Sequence, residues 1–332
     1  MERPLIGITM GDAAGIGPEI TCKSLMQADI YDNCRPFILG DAGVIEEIIG
    51  ICKLDQKVNI IKNPSEGRYT PGVVDVLDYG GIDLSRRKFG ETSAMCGEAA
   101  VRYTKEACQM ALDKKIDAMV SAPLNKASMR MAGYNYEGQT QIIGELCGSD
   151  NYGMVLMGKY NILMYTNHMS LMEACKKVTY EGVLKKIHLA GQGLSTLGAP
   201  GGKIAVSALN PHCGEGGLFG REEIDAIAPA IKQAQKEGIN VYGPIPADIV
   251  FMPEITKDYD IIMAMYHDQA NMAMKIVGFG SIVTLLVGVP VIRTSTGHGT
   301  AFDKAGLNIA DYRNLHLAIK AAADLAIKRA KI

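Results

Sequence analysis

Apolar runs of strand length alternate with helix-periodic stretches along the first third of the chain. Residues 5–10 form an apolar run, followed by a glycine-rich turn and a helix expected over residues 16–28. A second apolar run covers 36–40, helical periodicity returns at 44–54, and further strands are expected at 58–61 and 73–77. The clearest helix spans 92–115, where Ala100, Tyr103, Ala107 and Met110 recur on one face, and it leads into a strand at 117–121. In the middle, strands at 154–157 and 162–166 flank a hairpin-sized gap, and a helix is expected over 180–197. A strand at 203–209, a helix at 222–237 and a strand at 260–265 follow. The chain then shows an apolar strand region at 282–291, a glycine-rich loop and a closing helix at 312–330. Such alternation favours mainly parallel sheets with helices on both faces. No stretch marks a clean linker, so two domains are expected to interleave, with the last helix returning to the first.

The length of 332 residues leaves room for two domains of roughly 150 residues each. With 48% hydrophobic and 21% charged residues the composition is that of a globular protein. A net charge of -2 provides no basic excess for gripping a nucleic-acid backbone or an anionic membrane. The longest apolar run, residues 281–292, is shorter than the roughly 18 residues of a spanning helix and contains Pro290. The first strand-like run begins too early to leave room for a signal peptide. Eight scattered cysteines with no Cys-x-x-Cys pair read as buried free thiols, and so as a reducing cytoplasm.

Three of the six histidines share a pattern. His168, His212 and His267 each follow an apolar run at its polar end, whereas His188 and His316 lie inside amphipathic helices. In open α/β sheets the carboxyl ends of the strands are where ligands bind. Three imidazoles delivered there suit one metal ion with a fourth position left for substrate; singly, each reads as an ordinary hydrogen-bonded histidine. The turn Gly11-Asp-Ala-Ala-Gly-Ile-Gly-Pro-Glu19 follows a strand and opens a helix, the context of a loop that approaches a phosphate or cofactor. Its glycine spacing is neither a dinucleotide fingerprint nor a Walker loop. A third stretch, residues 288–306, is dense in Gly, Ser and Thr around Arg293, His298 and Asp303. Arg293 suits a phosphate or carboxylate through its fork, and Lys275, beyond the His267 loop, suits the same group as a point charge.

Taken together, these segments resemble the 4-hydroxythreonine-4-phosphate dehydrogenase family, including its D-threonate and D-erythronate 4-phosphate paralogues. The resemblance rests on the residue 11–19 turn, Leu209-Asn-Pro-His-Cys-Gly-Glu-Gly-Gly217, Ala264-Met-Tyr-His-Asp-Gln269, and Ile292-Arg-Thr-Ser295 running on to His298-Gly-Thr-Ala301. It implies a two-domain α/β subunit with the isocitrate/isopropylmalate dehydrogenase-like fold. By that likeness the first domain takes residues 1–130 and 276–332, the second takes 131–275 with the dimer contacts, and the active-site cleft lies between them. It further implies NAD as oxidant, a cytoplasmic homodimer with a shared active site, and a divalent metal (Zn, Co, Mg or Ni) on His168, His212 and His267, one ligand coming from the partner subunit. Substrate contacts carry over to Thr140, Lys275 and Arg293. Thr296, Gly297, His298, Asp303 and Asn308 match the dinucleotide pocket, and Asp248 and Lys126 are the candidates for proton transfer.

Two positions depart from the family pattern: Gln139 stands where the family usually has His, and Thr284 where it has Asn. A carboxamide is neutral with fixed donor and acceptor ends, while His carries charge when protonated. The departures therefore bear on which substrate is recognised more than on the reaction. The implied reaction is oxidation of a 4-phosphorylated four-carbon hydroxy acid followed by decarboxylation, with 4-phosphohydroxythreonine (the pyridoxine route), 4-phospho-D-threonate and 4-phospho-D-erythronate as candidates. A metal-dependent hydrolase or aldolase acting without NAD, and a paralogue that only binds phosphorylated acids, are the competing readings.

Overall fold

A computed structural model describes residues 2–278 and 280–331, and the chain divides into two compact units, Met1–Asp150 with Val289–Ile332 and Asn151–Gly288. The first begins with β1 (Leu5–Thr9), α1 (Gly17–Ser24), α2 (Ala28–Asn33), β2 (Arg35–Gly40), α3 (Ala42–Cys52), β3 (Lys57–Ile61) and β4 (Val73–Asp78). It continues with α4 (Ala94–Leu112), β5 (Ala118–Ser121), α5 (Lys126–Met131) and α6 (Gln139–Leu146). The second unit contains β6 (Gly153–Met157), β7 (Asn161–Met164), α7 (Leu171–Lys176), α8 (Tyr180–Thr196), β8 (Ile204–Ser207) and α9 (Ala228–Lys236). It closes with β9 (Val241–Ile245), α10 (Pro253–Thr256), β10 (Ile261–Ala264), α11 (His267–Gly278) and β11 (Val283–Val287). β12 (Arg293–Thr296) and α12 (Arg313–Arg329) then complete the first unit.

The strands of the first unit run β3-β4-β2-β1-β5-β12, all parallel. β5 and β12 are buried along their whole length, the signature of a sheet covered on both faces. α4 presents Ala100, Tyr103, Ala107 and Met110 inward, all buried, as the 3.6-residue period requires. In the second unit the order is β11-β6-β7-β10-β8-β9. Here β7, β10, β8 and β9 are parallel, while β6 is antiparallel to both of its neighbours and forms the expected hairpin with β7. The α/β class with mainly parallel sheets is thus realised in both units.

The unit boundaries lie further along the chain than residues 130 and 276. Met129 of α5 and Ile142 of α6 pack with Val101 of α4, which places 131–150 in the first unit. β11 pairs with β6, which holds 276–288 in the second. Three local expectations also change. The helix expected over 16–28 is two helices, α1 and α2. The apolar region 282–291 contributes only β11, and the stretch from Arg293 read as a loop is strand β12. His267 does not sit in a loop but opens α11, so Lys275 occupies that helix's last turn.

All eight cysteines are free thiols. Among the described residues no helix is long and apolar enough to cross a membrane.

Candidate active site

In the first unit the site grows from the carboxyl end of β5. Ser121 closes that strand opposite Ser295 of β12, so Arg293 enters from β12 two residues earlier with its side chain fully enclosed. Its Nε donates to Ser121 Oγ at 3.0 Å and its Nη2 to Gln139 Oε1 at 3.2 Å. Among the described residues no carboxylate pairs with it, and burial alone pushes the guanidinium down to about 10, still cationic at neutral pH. Gln139 is itself buried and uses both ends of its carboxamide, since Nε2 donates to the Ala122 carbonyl at 2.9 Å. It is the first residue of α6, with Thr140 next, so the N-terminus of that helix starts beside the buried cation. The Lys126 stem passes nearby: a methyl built on Gly138, the residue capping α6, would stand 3.8 Å from its Cε. Gln139 and Arg293 are therefore brought together at the start of α6, with Thr140 next in the helix and the Lys126 stem beside its capping residue.

The residue 11–19 turn lies beside this strand end. Gly11 has φ +75 and a side chain there would meet the Pro123 carbonyl at 2.4 Å, so only glycine fits. The turn is bonded to the last loop through Ile16 N–H to Thr300 O at 3.0 Å. Buried Glu19 accepts from Lys23 at 2.6 Å and from Ala310 N–H at 2.8 Å. Around that loop Thr296 Oγ1 donates to the His298 carbonyl at 3.1 Å and Gly297 N–H to Asn314 Oδ1 at 2.8 Å. His298, Asp303 and Asn308 are exposed, and the Asn308 carbonyl accepts from Lys23 Nζ at 3.2 Å. Gly297 is likewise exposed on this loop, whereas Thr296 is buried at the end of β12.

In the second unit β7, β10 and β8 are adjacent and parallel, and each carries one of the three histidines just beyond its carboxyl end. The His168 and His267 rings lie 5.2 Å apart, and His267 Nδ1 is 2.8 Å from Asp268. The strand ends are tied by side chains the sequence reading did not single out. Thr166 Oγ1 donates to the Met265 carbonyl at 2.9 Å. Gln269 accepts from Met265 N–H at 2.8 Å and donates to the Ala208 carbonyl at 3.0 Å. Gln269 lies inside the quoted Ala264–Gln269 motif, which was the available signal for it; Ser121 and Glu223 had none.

His212 sits on an unusual backbone. His212, Cys213 and Glu215 have φ of 51, 55 and 44, with Gly214, Gly216 and Gly217 also left-handed. Left-handed helical geometry costs roughly 1–2 kcal/mol for each of the three non-glycine residues, so neighbours must hold it. Leu209 and Asn210 N–H groups both bond Glu223 Oε1, at 2.8 and 2.7 Å. Burial, and then the carboxylates of Glu223 and Asp248, push the Cys213 thiol up, which places exposed Asp248 in the field of this turn.

Among the described residues of one chain no three His, Cys, Asp or Glu side chains gather to hold a metal. The paired imidazoles of His168 and His267 have the donor chemistry a divalent ion takes. Lys275 is exposed eight residues along α11 from His267, about 12 Å of helix rise. Thr284 is buried in β11 opposite Leu156.

The sequence profile of the family described as pyridoxal phosphate biosynthetic protein PdxA matches residues 32–322. A Clostridium botulinum protein named "Putative D-threonate 4-phosphate dehydrogenase" is 41% identical over 328 residues, 98% of both chains. Among solved structures, the 4-hydroxythreonine-4-phosphate dehydrogenase of Klebsiella pneumoniae matches with a TM-score of 0.92 at 35% identity, over 98% of each chain. That of Burkholderia phymatum matches at 0.89 and 39% identity, over 98% of this chain and 99% of its own.

Proposed function

The chain belongs to the family of the pyridoxal phosphate biosynthetic protein PdxA and is an oxidoreductase, and from that premise we propose that it oxidises and decarboxylates a 4-phosphorylated four-carbon sugar acid, 4-phospho-D-threonate foremost, with NAD. The observation that carries the reading is the buried Arg293, held by Ser121 and Gln139 with no carboxylate partner among the described residues, beside the start of α6. A cation in that setting stabilises a phosphate dianion through charge-assisted hydrogen bonds. The preference for a sugar acid follows from Gln139, a neutral amide already engaged at both ends, and from the name of the Clostridium botulinum relative.

In this reading Arg293, Gln139, Thr140 and the first N–H groups of α6 bind the phosphate, with Lys275 and Thr284 completing recognition of the acid. His168, His212 and His267 would hold a divalent metal that, when bound, acidifies the substrate hydroxyl as a Lewis acid. Thr296, Gly297, His298, Asp303 and Asn308 would hold NAD, which when bound would supply the hydride acceptor. Asp248 takes the hydroxyl proton, and Lys126 returns one to the carbon that loses carbon dioxide. Arg293 fixes orientation, because a phosphate clamped at one end limits where the reacting carbon lies. The carbon skeleton then leaves as dihydroxyacetone phosphate.

We assign the active form as a cytoplasmic homodimer in which a second copy completes the histidine set. Exposed apolar side chains follow each histidine in the chain: Leu171 and Met172 after His168, Leu218 after His212, Met272 and Ile276 after His267. These side chains would be covered where a second copy met the histidine-bearing strand ends. The eight free thiols accord with a reducing compartment.

NADH formation by metal-loaded protein tests the reading, with 4-phospho-D-threonate, 4-phospho-D-erythronate and 4-phosphohydroxythreonine compared. Turnover of the sugar acids with release of dihydroxyacetone phosphate is expected. Turnover of the amino acid alone would move the protein to the pyridoxine route, and no turnover of any of the three would sink the assignment.

A further inference from the structure

We propose that Glu223 is a positioning residue for His212: its carboxylate fixes the left-handed turn that presents this imidazole, and thereby sets the affinity of the site for a divalent metal. The inference rests on the metal reading above and extends it to a residue outside the ligand set.

Beyond its far end the 3-10-like turn over residues 211–217 is closed by Leu218 N–H to Glu215 O at 3.2 Å and Phe219 N–H to Gly214 O at 3.1 Å. At its near end Glu223 meets the backbone that leads in from β8, and Glu222 Oε2 also accepts from Asn210 Nδ2, at 2.6 Å. One carboxylate oxygen of Glu223 takes the Leu209 and Asn210 amides at 2.8 and 2.7 Å, and the other takes Asn210 Nδ2 at 2.9 Å. The backbone also packs on the carboxylate, since a side chain at Gly214 would come within 3.0 Å of Glu223 Oε2. Glu223 is 2% exposed and opens the π-helical turn Glu223–Ile227 ahead of α9. No basic side chain pairs with it among the described residues; its charge is satisfied by the turn itself. Gln269 and Glu223 thus divide the work: the first sets the strand ends of β8 and β10 in register, and the second shapes the backbone from β8 to His212.

A buried carboxylate spent wholly on the backbone beside an imidazole has the relation to a metal that supporting groups around metal ligands have, and loss of such a group typically weakens metal affinity 10–100-fold. The full-length chain is stripped of metal and titrated with Co²⁺, read by its visible d–d absorption, alongside hydrogen exchange of peptides spanning residues 207–213. Glu223→Ala is expected to lose protection in those peptides and to bind Co²⁺ about 10–100-fold more weakly. Glu223→Gln keeps one oxygen for the two amides but sets its Nε2 against Asn210 Nδ2, so a smaller loss is expected, and it serves if the alanine variant does not fold. Asp225→Asn, in the same turn but bonded only to Arg221, should match the parent. Unchanged Co²⁺ affinity in Glu223→Ala, or retained protection, overturns the proposal. If the parent takes up no Co²⁺, or His212→Ala binds it like the parent, the metal reading itself fails and the proposed role toward a ligand falls with it. Lost protection in Glu223→Ala would then still record the carboxylate's hold on the turn, which separates the two failures.

Discussion

Gln139 gives its carboxamide oxygen to the buried guanidinium of Arg293 and its amide hydrogen to the Ala122 carbonyl, so one neutral side chain ties the start of α6 to β12 and to the end of β5. Among the described residues no carboxylate faces the charge of Arg293. Gln139→Glu would place a carboxylate against the guanidinium and an oxygen against the Ala122 carbonyl. A charged hydrogen bond is worth roughly 1.5–3 kcal/mol, so KM for the phosphorylated acid should rise about 10- to 100-fold. Because phosphate binding serves ground and transition states alike, kcat should change little. Steady-state kinetics decide it, and an unchanged KM would remove Arg293 from phosphate recognition.

Replacing Arg293 by Lys keeps a charge but loses the fork that reaches Ser121 Oγ and Gln139 Oε1 together. KM should again rise by about 10-fold or more for Arg293→Lys, and further for Arg293→Met. The pH dependence follows from burial, which lowers the guanidinium to about 10. Below that pH the group stays protonated, so between pH 5 and 7 KM should fall only as the substrate phosphate loses its second proton, near pH 6. Above about pH 10 the cation is lost and KM should climb. A flat profile across both ranges would contradict the assignment.

Asp12 is fully buried, with Oδ1 accepting from Ala14 N–H at 2.9 Å. Burial raises its pKa, and the Ala14 amide and the Ser128 hydroxyl offset this in part. The folded state therefore keeps a proton that the unfolded chain releases near pH 3.9. The associated stability is full below that pH and is lost as pH rises through the raised folded value. Asp12→Asn removes this term, so the melting temperature of the variant relative to the parent should increase between pH 4 and pH 7. A constant difference would mean that Asp12 ionises in the fold as it does in water.

Legibility in the sequence tracked how local the determining interactions are. β1 and α4 were readable because Leu5–Thr9 and the Ala100–Tyr103–Ala107–Met110 face state their burial within a few residues. β12 was not. Arg-Thr-Ser-Thr has the composition of a loop, and it is buried because its polar groups are met from far away: Thr294 by the Ala318 carbonyl, Ser295 by the Ser121 carbonyl. α11 carried a signal that went unused, since Ala270 and Met274, four residues apart, are the side chains it buries. The same division holds for the site. The histidines could be found because each ends an apolar strand, a pattern in the local sequence. Glu223 could not, because its tie to Leu209 and Asn210 exists only after β8 and the π-helical turn have come together.

Binding of a metal to the folded chain alone stabilises that state by RT ln(1 + [L]/Kd), about 2.7 kcal/mol at a hundredfold excess over Kd. His168 and His267, 5.2 Å apart at the ends of neighbouring strands β7 and β10, lie where such a ligand would act. Protein stripped by a chelator should melt lower, and titration with Zn²⁺ or Co²⁺ should raise its melting temperature steadily with metal concentration. In His168→Ala and His267→Ala the rise should need a much higher concentration, because removing a direct ligand forfeits more than the 10–100-fold attached to a supporting residue. His188→Ala, whose ring pairs with Glu237 on the outside of α8, should follow the parent curve. Differential scanning fluorimetry on the four proteins separates the outcomes. If the histidine-pair variants track the parent as well, the metal binds elsewhere and the rings serve another purpose.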